Sequence, residues 1–187
     1  LLPESSIVCR GYVLYNRYII CIKGELFMIN FEQYLYEKVK SAIDTWDEPK
    51  IYAISFFVNS NEANKYKEFS NVSEFVISCN TEEDCGDVSY LAESRWNYAF
   101  WRQDETPIIY TYEENEGTEI LFKWYMENGI NDIGVENENS MYDKNFNYIG
   151  KGPIGYYELL TAVSNVARRF QEEGFIFKKF GYSIPII

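Results

Sequence analysis

The chain contains no histidine. This removes Ser-His-Asp and Cys-His dyads, histidine-bearing zinc sites and imidazole acid–base pairs. Any catalysis would have to use carboxylates, cysteine or lysine. No G-x-x-x-x-G-K-[ST] phosphate loop, G-x-G-x-x-G fingerprint or G-x-S-x-G elbow occurs. Lys151-Gly152-Pro153-Ile154-Gly155 resembles none of these and reads as a helix lead-in. There is no apolar run of about 20 residues, so no membrane span is expected. A charged start followed by an apolar stretch is also missing, which argues against a signal peptide.

Positive charge is scarce. Lys and Arg total 17 against 29 Asp and Glu, a net charge of -12. A surface of this sign is repelled by nucleic acid and by anionic lipid, and no compact basic patch offsets it. It favours encounter with a basic protein, although acidity also serves solubility alone. The four cysteines, Cys9, Cys21, Cys79 and Cys85, form no C-x-x-C pair. Free thiols in a reduced cytoplasm are the simplest reading, and no cofactor is indicated. Aromatics are abundant, with 17 Tyr. Their apolar bodies and polar tips suit half-buried sheet faces and contact surfaces.

A chain of 187 residues is long enough for one well-buried domain without disulfide or metal staples. Residues 1–27 read as an extension. Ile7 to Tyr15 and Tyr18 to Lys23 form two β-prone runs around Asn16-Arg17, and Met28 resembles an ordinary start. From there Asn30 can cap a helix to about Trp46, with Phe31, Leu35, Val39, Ala42, Ile43 and Trp46 on one face. Ile51 to Val58 reads as a central strand buried on both faces. Asn59 to Ser73 reads as a loop and Glu74 to Cys79 as a second strand. A polar cap at Asn80-Thr81, followed by Glu82, Glu83 and Asp84, predicts a helix to about Glu93.

Ser94 to Gln103 is ambiguous in period and reads as a turn plus a short helix. Pro107 to Tyr112 reads as extended and Thr118 to Asn128 as a helix stopped by Gly129. Ile130 to Gly152 is the longest expected loop. Pro153 opens the clearest helix, with Tyr156, Leu159, Leu160, Val163, Val166, Ala167 and Phe170 as its stripe and Gly174 as its end. Phe175 to Phe180 and Tyr182 to Ile187 read as strands. The expected class is α+β: a single domain at 28–187 with a mixed or antiparallel sheet flanked by helices.

Three groups of side chains could carry function. Glu82, Glu83, Asp84 and Asp87 crowd one helix start, and Glu113, Glu114 and Glu116 crowd a turn. Such acids could be a solvated cap, a carboxylate pair or a cation site, though the D-x-D-x-D-G pattern is missing. Cys85, near a helix start, could be a reactive thiol or an inert one. Trp96 and Trp101 beside Arg95 and Arg102 combine the residue types enriched in interface hot spots, or else they belong to the core.

Several stretches together resemble the bacterial family called domain of unknown function 4303. They are the first amphipathic helix, the strand Ile51-Tyr52-Ala53-Ile54-Ser55-Phe56-Phe57 and the step Cys79-Asn80-Thr81-Glu82-Glu83. Arg95-Trp96-Asn97-Tyr98-Ala99-Phe100-Trp101 and the late helix ending Arg169-Phe170-Gln171-Glu172-Glu173-Gly174-Phe175 complete the likeness. N-T-E-E and R-W-x(4)-W are its more specific elements, and residues before Met28 lie outside it. The resemblance implies a small bacterial protein of a family without an established biochemistry; analogy with other small acidic single domains points to immunity or accessory proteins of toxin systems. With the charge of -12, the missing catalytic motifs and the aromatic candidates, the expected function is binding of a basic protein, such as an immunity protein neutralising a basic toxin. Asn80, Thr81, Glu82, Glu83, Arg95, Trp96, Trp101, Glu113 and Glu114 are the candidate contacts. A carboxylate-dependent hydrolase and a self-associating structural domain are the alternatives.

Overall fold

The computed structural model describes residues 30–86, 88–113, 115–136, 144–145 and 150–187. The hairpin expected within residues 1–27, Cys9, Cys21, Met28, Asp87, Glu114 and much of the Ile130–Gly152 stretch lie outside these residues.

The fold is α+β. Among the described residues the sheet has three antiparallel strands in the order β1-β2-β3: β1 (Ile51–Asn61), β2 (Val72–Thr81) and β3 (Thr106–Ile109). Every residue of β2 is buried, so β2 is the central strand. The apolar run at Ile51 to Val58 is buried as expected, apart from Phe57. It owes this to cover on all sides, because β1 has β2 on one edge and the C-terminal tail on the other. Ile54 donates its N–H to Pro185 O (3.0 Å), Ile187 to Ile54 O (2.9 Å) and Phe56 to Ile187 O (2.8 Å). The tail thus joins β1 through one parallel bridge, Ile54 to Ile186, where a whole strand was expected over Tyr182 to Ile187.

One sheet face carries the main core. Ile54, Phe56 and Val58 of β1 and Phe75, Ile77 and Cys79 of β2 share it with helices α1 (Phe31–Asp44), α4 (Glu116–Glu127) and α5 (Tyr156–Glu172). Helix α1 starts where the Asn30 side chain accepts the Gln33 N–H (3.0 Å), as its sequence predicts. It buries Phe31, Leu35, Tyr36, Val39 and Ile43. Phe31 stacks on Trp124, with ring centroids 4.6 Å apart, and Tyr36 stacks on Phe170 at 4.4 Å. In α5 the buried stripe is Leu159, Ala162, Val163, Val166 and Phe170, at the 3.6-residue period. This helix begins at Tyr156 rather than Pro153, because Gly155 takes a left-handed conformation (φ 97°) and the Glu158 carboxylate accepts its N–H (3.1 Å).

Two elements differ from their sequence reading. Phe175–Phe180 is a helix, α6, not a strand. Gly174 is left-handed (φ 66°) and turns the chain back, so that Ile176 is buried and Phe175 packs on Phe170 with centroids 5.2 Å apart. The helix expected from Asn80 to Glu93 is one turn long, α2 (Glu82–Cys85). Gly86 ends it in the left-handed region (φ 62°), where a glycine is free of the Cβ clash. A second one-turn helix, α3 (Glu93–Trp96), and a 3-10 turn (Tyr98–Phe100) follow, which fits the turn and short helix expected there.

Candidate functional site

Residues 88–105 form a strap between α2 and β3 that covers part of the sheet face opposite the helices. Sheet residues beneath it include Tyr52 and Ala53 of β1, which pack on Trp101. The face is polar as well as aromatic: Ser55, Ser78 and Asn80 are all buried there. Phe57 stacks on Tyr98, with centroids 5.0 Å apart.

Arg95 is the centre of the strap's inner side and is only 8% exposed. Its guanidinium donates to both oxygens of Glu82, at 2.9 and 2.5 Å, and lies 4.0 Å from the centroid of the Tyr52 ring. Its Nη1 is 3.4 Å from Cys85 Sγ. The Arg95 carbonyl accepts from the Tyr52 hydroxyl (2.7 Å) and from Trp101 Nε1 (3.1 Å). Asn80 Nδ2 in turn donates to the Tyr52 hydroxyl (2.9 Å). The hydrogen bonds from Arg95 hold the Glu82 carboxyl below its ordinary range, and the same bonds raise the guanidinium. Burial raises the Tyr52 phenol. These groups are ionised or neutral in fixed states near pH 7, as a structural knot requires.

Thr81 is the cap of α2. Its hydroxyl accepts the Asp84 N–H (3.1 Å), and Asp84 Oδ2 accepts the Thr81 N–H (3.2 Å), a reciprocal capping box. The N-T-E-E and R-W-x(4)-W steps therefore meet in one cluster, with Asn80 and Glu82 from the first and Arg95 and Trp101 from the second.

The structure sorts the candidate residues by orientation. Asn80, Thr81, Arg95 and Trp101 are buried, and Trp101 is 4% exposed, so it is core and not a contact anchor. Trp96 is 42% exposed; its indole Nε1 donates to Tyr90 O (2.7 Å) and its ring stands edge-on to Tyr52. Glu83 is exposed on α2. Glu113 is exposed in the turn between β3 and α4, on a different element from the strap. Glu116 pairs with Lys38 (2.8 Å). The sequence reading missed Tyr90, Leu91 and Phe100, exposed by 71%, 77% and 63%. Their signal was an apolar residue type inside a polar, irregular stretch, where no period says which way a side chain points.

An open cleft of about 240 Å³ lies beside the strap and is lined by Thr45, Trp46, Glu48, Cys79, Arg102 and Asp104 among others. Arg102 donates to Glu48 (3.0 Å), lies 3.7 Å from Asp84 and 4.0 Å from Asp104, and has its Nη2 3.2 Å from Cys79 Sγ. Burial pushes the Glu48 carboxyl upward, but hydrogen bonds from its own backbone and from Arg102 outweigh it and leave the group below its ordinary range. Burial pushes the Cys79 thiol up to about 11. Glu48 is thus an ionised ion-pair partner and Cys79 a protonated thiol. Neither state suits a general acid or a nucleophile at neutral pH. Among the described residues no cluster of Cys, Asp and Glu is arranged to hold a metal ion.

No protein-family model, no curated protein and no solved structure matches this chain. Among the described residues no helix is long and apolar enough to cross a membrane.

Proposed function

We propose that this chain is a binding module for a cationic protein, in the manner of an immunity protein that neutralises a basic toxin. The observation that carries the reading is the disposition of charge around the strap. Residues 82–105 hold seven acids and two arginines. Both arginines are engaged in internal ion pairs, Arg95 with Glu82 and Arg102 with Glu48. Glu83, Glu93, Asp104 and Glu105 are exposed around them. A negative surface of this kind raises the encounter rate of a positive partner and repels polyanions. The resemblance to the 4303 family belongs to the same proposal and supports the class of protein.

A carboxylate-dependent hydrolase has less support. Such an enzyme wants one carboxyl raised towards neutrality in a recess, whereas Glu82 is lowered by its hydrogen bonds from Arg95, and Glu48, against the pull of its burial, by its own backbone N–H and Arg102.

Co-purification from the native host, followed by titration of the purified pair, tests the proposal. A basic protein in near-stoichiometric amount, with affinity falling steeply as salt rises, is the expected result. A neutral or acidic partner bound independently of salt would count against it.

A further inference from the structure

We infer that the outward face of the strap, built on Tyr90, Leu91, Trp96 and Phe100, is the contact surface for a cationic protein segment that carries apolar side chains. This rests on the proposed binding of a cationic protein and adds the place and the anchors.

The first observation is concentration. Twelve large apolar residues are exposed among the described residues, and these four fall within eleven consecutive positions, with Phe57 joined to them through its stack on Tyr98. Arg95 and Trp101 of the same strap are buried, whereas Tyr90, Leu91 and Phe100 are exposed and Trp96, edge-on to Tyr52 on its inner side, leaves 42% of its surface open. Clustered exposed aromatics mark interaction surfaces, whereas single ones scattered elsewhere need no explanation.

The second is pre-organisation. The strap has little regular structure, yet side chains fix it at many points. Trp96 Nε1 holds the Tyr90 carbonyl (2.7 Å), and Leu91 N–H donates to Ser89 Oγ (3.3 Å). Asn97 Oδ1 accepts the Ala99 N–H (3.0 Å), and Gln103 Nε2 donates to Tyr98 O (2.6 Å). A surface held in this way loses little further conformational freedom on binding.

The third is charge complementarity, which selects the occupant. Glu93 lies between Leu91 and Trp96 in sequence, and Asp104 and Glu105 follow Phe100; all three are exposed. Asp104 shares Arg102 with Glu48, while among the described residues Glu93 and Glu105 accept only from the neutral Asn97 amide and Tyr98 hydroxyl, so the acids beside these apolar anchors keep a net negative charge that fits a segment with apolar side chains among lysines and arginines. A second copy of this chain, also at net charge -12, would set acid against acid.

Two labelled 16-residue peptides of equal positive charge test the inference by fluorescence anisotropy, one of Lys and Leu in an amphipathic pattern, the other of Lys and Gln. The Lys–Leu peptide should bind more tightly. The variant Leu91→Ser/Phe100→Ser should weaken it by about tenfold or more, the size of a hot-spot truncation, and leave the weak Lys–Gln binding unchanged. Both substitutions are at exposed positions, and an unaltered circular dichroism spectrum would verify the fold. Met126→Ser, at an exposed apolar residue on α4, should change nothing. Equal binding of the Lys–Leu peptide by parent and double variant overturns the strap as the anchor while leaving a charge-only binder standing. Failure of both peptides to bind the parent, at any salt, overturns the underlying reading instead. A concentration-dependent dimer in sedimentation that the double variant abolishes would overturn the cationic occupant in favour of a second copy.

Discussion

Replacing Arg95 with methionine removes the guanidinium from the knot under the strap while keeping most of its volume. Two contributions are lost. The bidentate pair with Glu82 comes first. Because the Glu82 side chain is 46% exposed and can be hydrated once alone, that pair is discounted to about 1 kcal/mol, not the 3–5 kcal/mol of a fully buried pair. The approach to the Tyr52 ring at 4.0 Å adds about 1 kcal/mol. The packing of the arginine stem is largely retained by methionine. One term opposes these: Arg95 Nε is buried without a hydrogen-bond partner among the described residues, and its removal relieves about 1 kcal/mol. The net expectation is a loss of roughly 1 kcal/mol. For a domain of this size that is a fall in Tm of about 2–4 °C. The backbone carbonyl of residue 95 still accepts from Tyr52 and Trp101, so the strap should stay in place and loosen, not detach. Urea unfolding followed by tryptophan fluorescence measures the change, and a Glu82→Gln, Arg95→Met double-mutant cycle isolates the pair. A variant as stable as the parent, or a coupling near zero, would refute the claim that Arg95 ties the strap to α2.

Further outcomes follow from the same structure. Glu82 has its carboxyl lowered by Arg95, so its contribution is fully present above the ordinary glutamate pKa of about 4.3 and is lost as pH falls through the lowered folded value. The stability gap between parent and Glu82→Gln should therefore be open at pH 7 and close in acid; a gap independent of pH would contradict the ion pair. Cys79, 1% exposed and pushed up to about 11, should resist a thiol reagent in the native state and react only on unfolding, as site-resolved mass spectrometry would report. Rapid native labelling of Cys79 would show that the cleft opens to it. Gly134 is left-handed (φ 80°), and a Cβ there would lie 2.0 Å from the Asn71 carbonyl oxygen. Gly134→Ala should cost at least 2 kcal/mol by chemical denaturation, combining strain with that clash, and a neutral effect would place Asn71 elsewhere.

The elements with a clear period were readable from the sequence, and the strap was not. Phe31, Leu35, Val39 and Ile43 repeat at three and four, and Asn30 precedes them, so helix α1 declared itself. The late helix did the same through Leu159, Val163, Val166 and Phe170. Phe175 to Phe180 misled because its aromatic and β-branched residues suit a strand, whereas tertiary packing of Phe175 and Ile176 against α5 and α1 decided for a helix. Gly86 was the overlooked stop that shortened α2. Of the candidate site, the residue types were legible and their directions were not. Arg95 and Trp101 were noticed as recognition-type residues, yet they turn inward because Glu82 and Tyr52 pair with Arg95 and Tyr52 and Ala53 pack on Trp101. Only the folded sheet brings those partners near.

Under the proposed function, the acidic side chains of the strap set the affinity for a cationic partner. Isothermal titration of the proposed basic partner, recovered by co-purification, into the parent and into Glu83→Gln/Glu93→Gln/Asp104→Asn/Glu105→Gln, at low and at physiological salt, measures it. A parent affinity that drops sharply with salt, and a variant that binds weakly with a shallower salt slope, is the predicted result. Identical affinities for parent and variant at both salt concentrations would contradict it.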